Sequence, residues 1–433
     1  MVKEINIGLL GLGTVGSGVV TIIENHQDRL MHQIGCPVRV SKVLVRNLEK
    51  ERTITINTDL LTTNPDDIID NSEIDIVVEV IGGIEDTKDL ILRALKNKKH
   101  VVTANKDLIA LHGAELLTTA IENKCDLFYE ASVAGGIPIL RGLTEGLASD
   151  RITKMMGIVN GTTNFILTKM TQEGRDYDSV LKEAQKLGFA ESDPTADVEG
   201  FDAARKMAIL ATLGFSMNID LNDISVKGIS SITSEDIEYA MNFGYIMKLI
   251  GLAQREGDMV SVTVEPMLLP HIHPLASVHN EYNAVFVTGE AVGETMFYGP
   301  GAGSLPTATS VVSDLVAVMK NMQIGVNGRM NINPQLEKSL LTDEQLESKY
   351  FLRIVVKDEI GVFSQITSLF TKEEVSLEKI LQHPSGIADS SEIIIVTHKA
   401  NKKSFNNIIN TLNEISSVID IKGAYPIVGE DKK

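Results

Sequence analysis

Between Leu187 and Ala208 the sequence LGFAESDPTADVEGFDAARKMA carries five carboxylates, Glu191, Asp193, Asp197, Glu199 and Asp202, and then Lys206. The segment changes character halfway. Glu191 to Thr195 has the Asp-Pro turn chemistry that stops a helix. Phe201 to Leu213 reads as a helix with Phe201, Ala204, Ala208 and Ala211 along one side. On that helix Asp202 and Lys206 are one turn apart and share a face. One reading is a surface ion pair contributing about 0.3–0.5 kcal/mol. The other is a polar site in which carboxylates hold an ammonium group and the lysine is aimed at a reacting oxygen. By itself the segment favours the ion pair; the rest of the chain reverses that balance.

The elements that would position such a site begin at the N-terminus. A short apolar strand, residues 4–10, runs straight into Gly11-Leu12-Gly13-Thr14-Val15-Gly16, and Thr14 to Glu24 continues as a helix. In a G-x-G-x-x-G the glycines tighten the turn, let the backbone approach a pyrophosphate and let helix pack on strand. The helix N-terminus then offers unpaired N–H groups and a partial positive charge to the anion. The next strand, Val38 to Val45, ends in Arg46, which suits a 2′-phosphate, although Glu49 is near enough to serve a ribose. NADP is therefore favoured, with NAD use possible.

Strand and helix patterns then alternate through residues 75–129, which indicates a parallel, doubly wound sheet. The expected elements are Asp75 to Val80, Thr87 to Asn97, His100 to Thr103, Gly113 to Asn123 and Asp126 to Tyr129. Gly82-Gly83 fits either a close backbone approach to the cofactor or a plain turn. Thr103-Ala104-Asn105-Lys106 lies at a strand's C-terminal end, where ligands of open α/β sheets bind. Glu130 to Arg141 is rich in small residues; its carbonyls could coordinate a hard cation, or it is a tight crossing into the next domain.

Asn160, Gly161 and Thr162 precede an apolar helix, Phe165 to Met170. They read as capping residues and as a seat for a carboxylate. His271 and His273 have no third ligand nearby and read as loop histidines. A second glycine-rich turn, Gly299 to Gly303, leads into a helix from Thr307 to Asn321, expected to return to the first domain and close over the cofactor.

Composition narrows the class. At 433 residues, 43% hydrophobic and 23% charged, the chain reads as a soluble enzyme of two or three domains. A formal charge of −18 argues against nucleic acid. No apolar run approaches the ~20 residues that span a bilayer, and MVKEINIGLL shows no cleavage site. Cys36 and Cys125 make no metal or disulfide framework and read as reduced thiols in a cytoplasmic protein.

Asn331 to Lys349 is polar and reads as a linker. Beyond it the pattern is strand Phe351 to Val356, helix Phe363 to Lys372, strands Val375 to Gln382 and Glu392 to Thr397, helix Lys403 to Asn413, and strand Val418 to Ala424. That β-α-β-β-α-β order is the ferredoxin-like split. With KDEIGVFSQIT and its turn at Gly361, it resembles ACT domains, small regulatory folds that pair and bind amino acids. A dimerisation appendage without ligand is the alternative.

GLGTVG, TANK, EASVAGGIP, NGTTNFIL, LGFAESDPTADVEGFDAARK and PGAGSLPTA, in that order, make the whole chain resemble the homoserine dehydrogenases that carry a C-terminal ACT domain. The resemblance implies an α/β architecture in three parts: a Rossmann-like NAD(P)-binding domain (1–135 and 305–330), an α+β catalytic and dimerisation domain (136–304), and, after a linker (331–349), a ferredoxin-like ACT domain (350–427). It implies reversible NAD(P)-dependent interconversion of L-homoserine and L-aspartate 4-semialdehyde, on the route to threonine, isoleucine and methionine. Carried over by position, Lys206 is the proton donor and acceptor, and Lys106 assists at substrate and nicotinamide. Glu191 and Asp202 bind substrate with Asp197 helping, and Gly161 and Thr162 line the far side of that pocket. Cofactor contacts fall on residues 11–16, Arg46, Gly82, Thr103, Lys106, Gly188, Glu191 and Gly303. Glu130, Val133, Gly135 and Ile137 match a sodium site built largely of main-chain oxygens. The resemblance also implies a homodimer or homotetramer and an amino-acid effector, threonine being expected.

Hydride transfer from a primary alcohol needs its hydroxyl proton removed, so a lysine would have to act as base. Lysine is a poor base near neutrality; burial or a second cation improves it, and a basic optimum for homoserine oxidation is expected. Two rivals remain on sequence grounds. A semialdehyde dehydrogenase would need a nucleophilic cysteine, for which Cys125 is the candidate; a non-catalytic amino-acid sensor would keep the Rossmann half as a relic.

Overall fold

A computed structural model describes residues 4–329 and 334–429, so the first residues of the expected linker, 331–333, lie outside it. The chain forms two compact units. One comprises residues 1–160, 202–224 and 282–338, the other residues 161–201, 225–281 and 339–433.

The first unit is built on a six-stranded parallel sheet in the order Leu61–Thr62, Val38–Leu44, Ile5–Leu10, Ile76–Glu79, His100–Thr103, Leu127–Phe128. The strands Ile5–Leu10, Ile76–Glu79 and His100–Thr103 are buried almost throughout, as parallel strands covered on both faces must be. Strand order reverses between Ile5–Leu10 and Ile76–Glu79, which places the ligand crevice of a doubly wound sheet over the C-terminal ends of those two strands. The helix Ser304–Ile324 returns from far along the chain to pack on the helix Thr14–Asn25, and a Cβ on Gly18 would lie 2.6 Å from Ser304 O. An antiparallel set, Gly293–Pro300, Tyr282–Gly289 and Ile152–Ile158, completes the unit.

In the second unit a long hairpin, Tyr245–Glu256 with Met259–Pro270, is joined by the C-terminal module in the order Val418–Ile427, Glu347–Lys357, Ser390–Thr397, Leu377–Pro384. The helices Val362–Lys372 and Lys402–Glu414 supply the remaining elements of the split β-α-β-β-α-β order. The module is tied to the helix Ser234–Asn242 by a buried polar network. Arg353 donates to Asp236 Oδ1 at 2.7 Å, to Glu392 Oε1 at 2.8 Å and to Thr233 Oγ1 at 2.9 Å. Tyr425 donates to Asp236 Oδ2 at 3.0 Å and Tyr239 to Glu392 Oε2 at 2.9 Å.

Several element boundaries differ from the sequence expectation. The helix expected from Gly113 begins at Lys106, because the Asn105 side chain accepts from Leu108 N at 3.1 Å and caps it. The helix expected from Phe165 begins at Gly161, so Gly161 and Thr162 form its first turn rather than a loop before it. Gly299 and Pro300 close a strand instead of opening a turn, and the last strand-forming residues of the expected linker, from Glu347, already pair in the C-terminal sheet.

Candidate active site

The helix Phe201–Phe215 carries Asp202 with its side chain only 6% exposed and Lys206 with 12%. Lys206 Nζ donates to Asp202 Oδ2 at 2.7 Å and to Val159 O at 2.7 Å. Such a pair is not a surface ion pair. A buried carboxylate must be matched by donors or it leaves a large desolvation penalty uncompensated, and here the matching is complete on both oxygens. Asn160 Nδ2 also donates to Oδ2, at 2.8 Å, and Lys106 Nζ lies 2.7 Å from Oδ1. Burial alone would raise the Asp202 carboxyl; the ammonium groups of Lys206 and Lys106 outweigh it and hold the group well below the usual carboxylate range. An ammonium has three N–H donors, so two bonds to the protein leave Lys206 one to offer a ligand.

Lys106 reaches this carboxylate because the strand His100–Thr103 delivers it to the first position of the helix Lys106–Glu122. The neighbouring residues repeat the connection, with Asp107 Oδ1 accepting from Arg205 Nε at 2.7 Å. Two adjacent ion pairs thus fix the start of one helix against the other. Asn160 escaped sequence reasoning as a partner of Asp202; its only signal was its place beside Gly161 in a polar run ahead of an apolar helix.

The fingerprint adopts the geometry a dinucleotide needs. Gly11 has φ +106°, and a Cβ on Gly16 would lie 2.2 Å from Gly11 O, so helix and strand touch only because both are glycine. Gly13, by contrast, faces open space, with nothing within 4 Å of where a Cβ would sit, and it begins the helix with no side-chain cap. The first N–H groups of the helix are therefore available to an anion lying across Leu12, Thr14 and Val15. Gly303 begins the helix Ser304–Ile324, likewise without a side-chain cap, and Ser304 Oγ donates to Thr14 O at 2.7 Å. Arg46 and Glu49 are both exposed beyond the strand Val38–Leu44.

Comparison with known proteins decides the family. Residues 138–316 match the model of the homoserine dehydrogenase family, residues 11–130 the homoserine dehydrogenase NAD-binding domain, and residues 350–417 the ACT domain. A homoserine dehydrogenase of Bacillus subtilis is 63% identical over 428 residues, covering 99% of each chain.

The chain belongs to the homoserine dehydrogenase family.

The crystal structure of a homoserine dehydrogenase from Thiobacillus denitrificans matches with a TM-score of 0.92 at 39% identity over 98% of each chain. That of S. aureus homoserine dehydrogenase at pH 6.5 matches with 0.79 at 40% identity, over 99% of this chain and 100% of that one. The protein is accordingly an NAD(P)-dependent oxidoreductase with a Rossmann-like domain and a C-terminal ACT domain.

The remaining residues expected at the homoserine dehydrogenase site lie in the second unit. Gly188 ends the helix Tyr177–Leu187, Glu191 is exposed with its backbone oxygen accepting from Gln185 Nε2 at 3.1 Å, and Asp197 belongs to the short helix Thr195–Val198. Thr162 Oγ1 donates to Phe189 O at 2.5 Å, tying the helix Gly161–Glu173 to the loop that carries Gly188 and Glu191. That helix is anchored by a buried lysine: Lys248 Nζ donates to Asn164 Oδ1 at 2.9 Å and to Val278 O at 2.6 Å. Burial drives the Lys248 ammonium down to about 7. Between that value and the ~10.4 of an unfolded lysine the unfolded chain binds more protons, so this residue makes stability rise with pH. Melting wild type and Lys248→Met at pH 7 and pH 9 should show a steeper rise for wild type; parallel slopes would mean the ammonium is solvated.

The candidate sodium ligands are in the first unit. The Glu130 carboxylate is already engaged, accepting from Leu140 N at 2.8 Å and Arg141 N at 2.9 Å, and burial pushes it up to about 7. Gly135 O accepts from Ser310 Oγ at 2.7 Å. Among the described residues no group of three or more His, Cys, Asp or Glu could hold a metal ion, so a cation here would depend on main-chain oxygens of Glu130, Val133, Gly135 and Ile137.

Two other sequence candidates have structural explanations. Burial raises the Cys125 thiol to about 11, which makes it a poor nucleophile and leaves the acyl-enzyme rival without its reagent. His273 Nδ1 accepts from Leu275 N at 3.1 Å as a turn cap, and His271 is exposed.

Proposed function

We propose that this homoserine dehydrogenase interconverts L-homoserine and L-aspartate 4-semialdehyde with Lys206 as proton donor and acceptor, and that it prefers NADP. The observation that carries the reading is the buried Asp202 carboxylate shared by Lys206 and Lys106. The nicotinamide supplies or accepts the hydride. Lys206, held by Asp202 and Val159, delivers the proton of its remaining N–H to the aldehyde oxygen in reduction, and in oxidation takes the hydroxyl proton as the neutral amine. Lys106 adds positive charge on the same side, where negative charge develops on that oxygen during oxidation. Asp202 fixes both ammonium groups, and Glu191, with Asp197, Gly161 and Thr162, binds the amino-acid portion of the substrate.

Leu12, Gly13, Thr14 and Val15 cradle the pyrophosphate, while Arg46 faces the 2′-phosphate. Gly82, Thr103, Gly188 and Gly303 line the rest of the cofactor site. In the same reading the Glu130–Ile137 carbonyls hold sodium, the ACT domain binds threonine, and the chain assembles as a homodimer or homotetramer in the cytoplasm. The three-part division expected from sequence, with the catalytic part at 136–304, remains our domain assignment.

Initial rates at 340 nm with L-homoserine test the assignment. Turnover is expected with kcat/KM higher for NADP than for NAD, and Arg46→Ala should lower the NADP value about tenfold or more, the loss of one or two charge-assisted hydrogen bonds. Equal use of both coenzymes by wild type and variant would remove Arg46 from the specificity site. No turnover of homoserine at all would remove the assignment itself.

A further inference from the structure

Glu79 ends the strand Ile76–Glu79 at the point where the parallel sheet reverses its strand order, paired to Leu10 on one side and Thr103 on the other. It is 0% exposed. Its Oε1 accepts from Ile81 N at 2.9 Å and Gly82 N at 3.0 Å, and its Oε2 accepts from Thr103 Oγ1 at 2.6 Å. Among the described residues no cation pairs with it. A fully buried carboxylate with no countercharge is costly, and three converging donors explain how this one is held, not why an acid stands there.

The answer lies in what those donors belong to. Thr103 Oγ1, while donating to Glu79, accepts from Asn105 N at 3.0 Å. Asn105 then donates through Nδ2 to Gly83 O at 2.7 Å and accepts through Oδ1 from Leu108 N at 3.1 Å, capping the helix that starts with Lys106. Thr87 Oγ1 donates to Gly82 O at 2.7 Å from the far side. Gly82 and Gly83, with φ of +72° and +81°, thus form a turn in which the Gly82 N–H and both C=O groups are engaged by Glu79, Thr87 and Asn105. The turn is tied to the residue that launches Lys106 directly, through Asn105 Nδ2 and Gly83 O, and also by way of Glu79 and the Thr103 hydroxyl.

We propose that Glu79 is a positioning residue: it acts through Thr103 and Asn105 to set Lys106 against Asp202, and it makes that setting move together with the Gly82-Gly83 turn at the cofactor crevice. This rests on the functional reading above. An acid is required because only an acceptor on both oxygens can take two backbone N–H groups and still fix the direction of the Thr103 hydroxyl. Glutamine would keep the shape but turn a donor toward Thr103, reversing the bond that fixes the direction of the hydroxyl to which Asn105 N donates.

Wild type, Glu79→Gln, Thr103→Val and Thr103→Ser are compared for kcat with L-homoserine, for NADPH affinity by fluorescence quenching and for thermal midpoint, with Lys206→Ala run alongside. A misplaced catalytic group can cost on the order of 100-fold, so Glu79→Gln and Thr103→Val are expected to lose about tenfold or more in kcat. The NADPH affinity of Glu79→Gln should stay within about threefold, and Thr103→Ser, which restores the hydroxyl, should recover most of the rate. A folded Glu79→Gln with wild-type kcat, or losses confined to NADPH affinity, would overturn the proposal. If Glu79→Gln fails to fold, the Val and Ser pair at Thr103 decides it, since equal rates in the two would exclude the hydroxyl link. Absence of wild-type turnover would bring down the functional reading and this proposal with it, whereas wild-type turnover lost in Lys206→Ala with indifferent Glu79 and Thr103 variants would overturn this proposal alone.

Discussion

Lys206→Met should turn over L-homoserine at least ~100-fold more slowly than wild type, the range expected when a general acid–base group is removed. Methionine keeps most of the apolar stem and loses only the ammonium. The fold should survive, because the buried Asp202 carboxylate retains Lys106 at 2.7 Å and Asn160 at 2.8 Å as partners. Cofactor binding should survive as well, since the fingerprint and its helix do not use Lys206. The loss must therefore appear in kcat, with NADPH quenching unchanged. A rate within tenfold of wild type would show that Lys206 only supports Asp202 and that the proton moves elsewhere. Asp202→Asn provides the complementary case: it leaves both lysines in place but removes the charge that holds them, and is expected to impair substrate binding and rate together.

The second large effect is on stability. Arg353→Met should destabilise the protein by about 3–5 kcal/mol, the cost of breaking a buried ion pair by deleting one partner. Arg353 is 4% exposed, Asp236 0% and Glu392 11%, so neither carboxylate can turn to water for compensation. Urea unfolding followed by circular dichroism measures it. The contrasting variant replaces the triad by apolar residues, Arg353→Met with Asp236→Leu and Glu392→Leu, and should recover part of the loss because no charge is left stranded. If Arg353→Met alone unfolds at the wild-type urea concentration, water must reach the network. The network also bears on any attempt to remove the C-terminal module, since cutting after residue 349 would strip Asp236 of both Arg353 and Tyr425.

The local signals in the sequence were good guides wherever function and periodicity coincide. The strand, glycine turn and helix at residues 5–25 sit where the pattern put them, and the split order of the C-terminal module follows from its own alternation. At the site, the spacing of Asp202 and Lys206 made one contact visible. The contact of Asp202 with Lys106 was not, because nothing local marks two residues brought together by a sheet and two helices. The buried state of Asp202 was hidden for the same reason: an aspartate four before a lysine looks identical on a surface. Boundaries failed where a side chain outvoted the pattern. Asn105 starts a helix seven residues ahead of the expected Gly113 by capping it, and Tyr245–Glu256 mixes apolar and charged residues so freely that its pairing with Met259–Pro270, rather than its own alternation, defines it as a strand. Glu79 carried no signal at all, since an acid at the end of an apolar strand is usually read as the point where the strand meets water.

The return of Ser304–Ile324 to the helix Thr14–Asn25 has a consequence for biosynthesis. Val19, Val20 and Ile23 are buried in the same core as Ala308, Val311 and Leu315. A ribosome adding about 5–20 residues per second must therefore work for tens of seconds between making one half of that core and making the other. Throughout that interval the nascent chain displays an apolar helix face and a parallel sheet that cannot close. Parallel pairing is slow and non-local by nature, so the early sheet has no fast route to cover itself. The dinucleotide fold thus cannot be finished until the helix Ser304–Ile324 has been made.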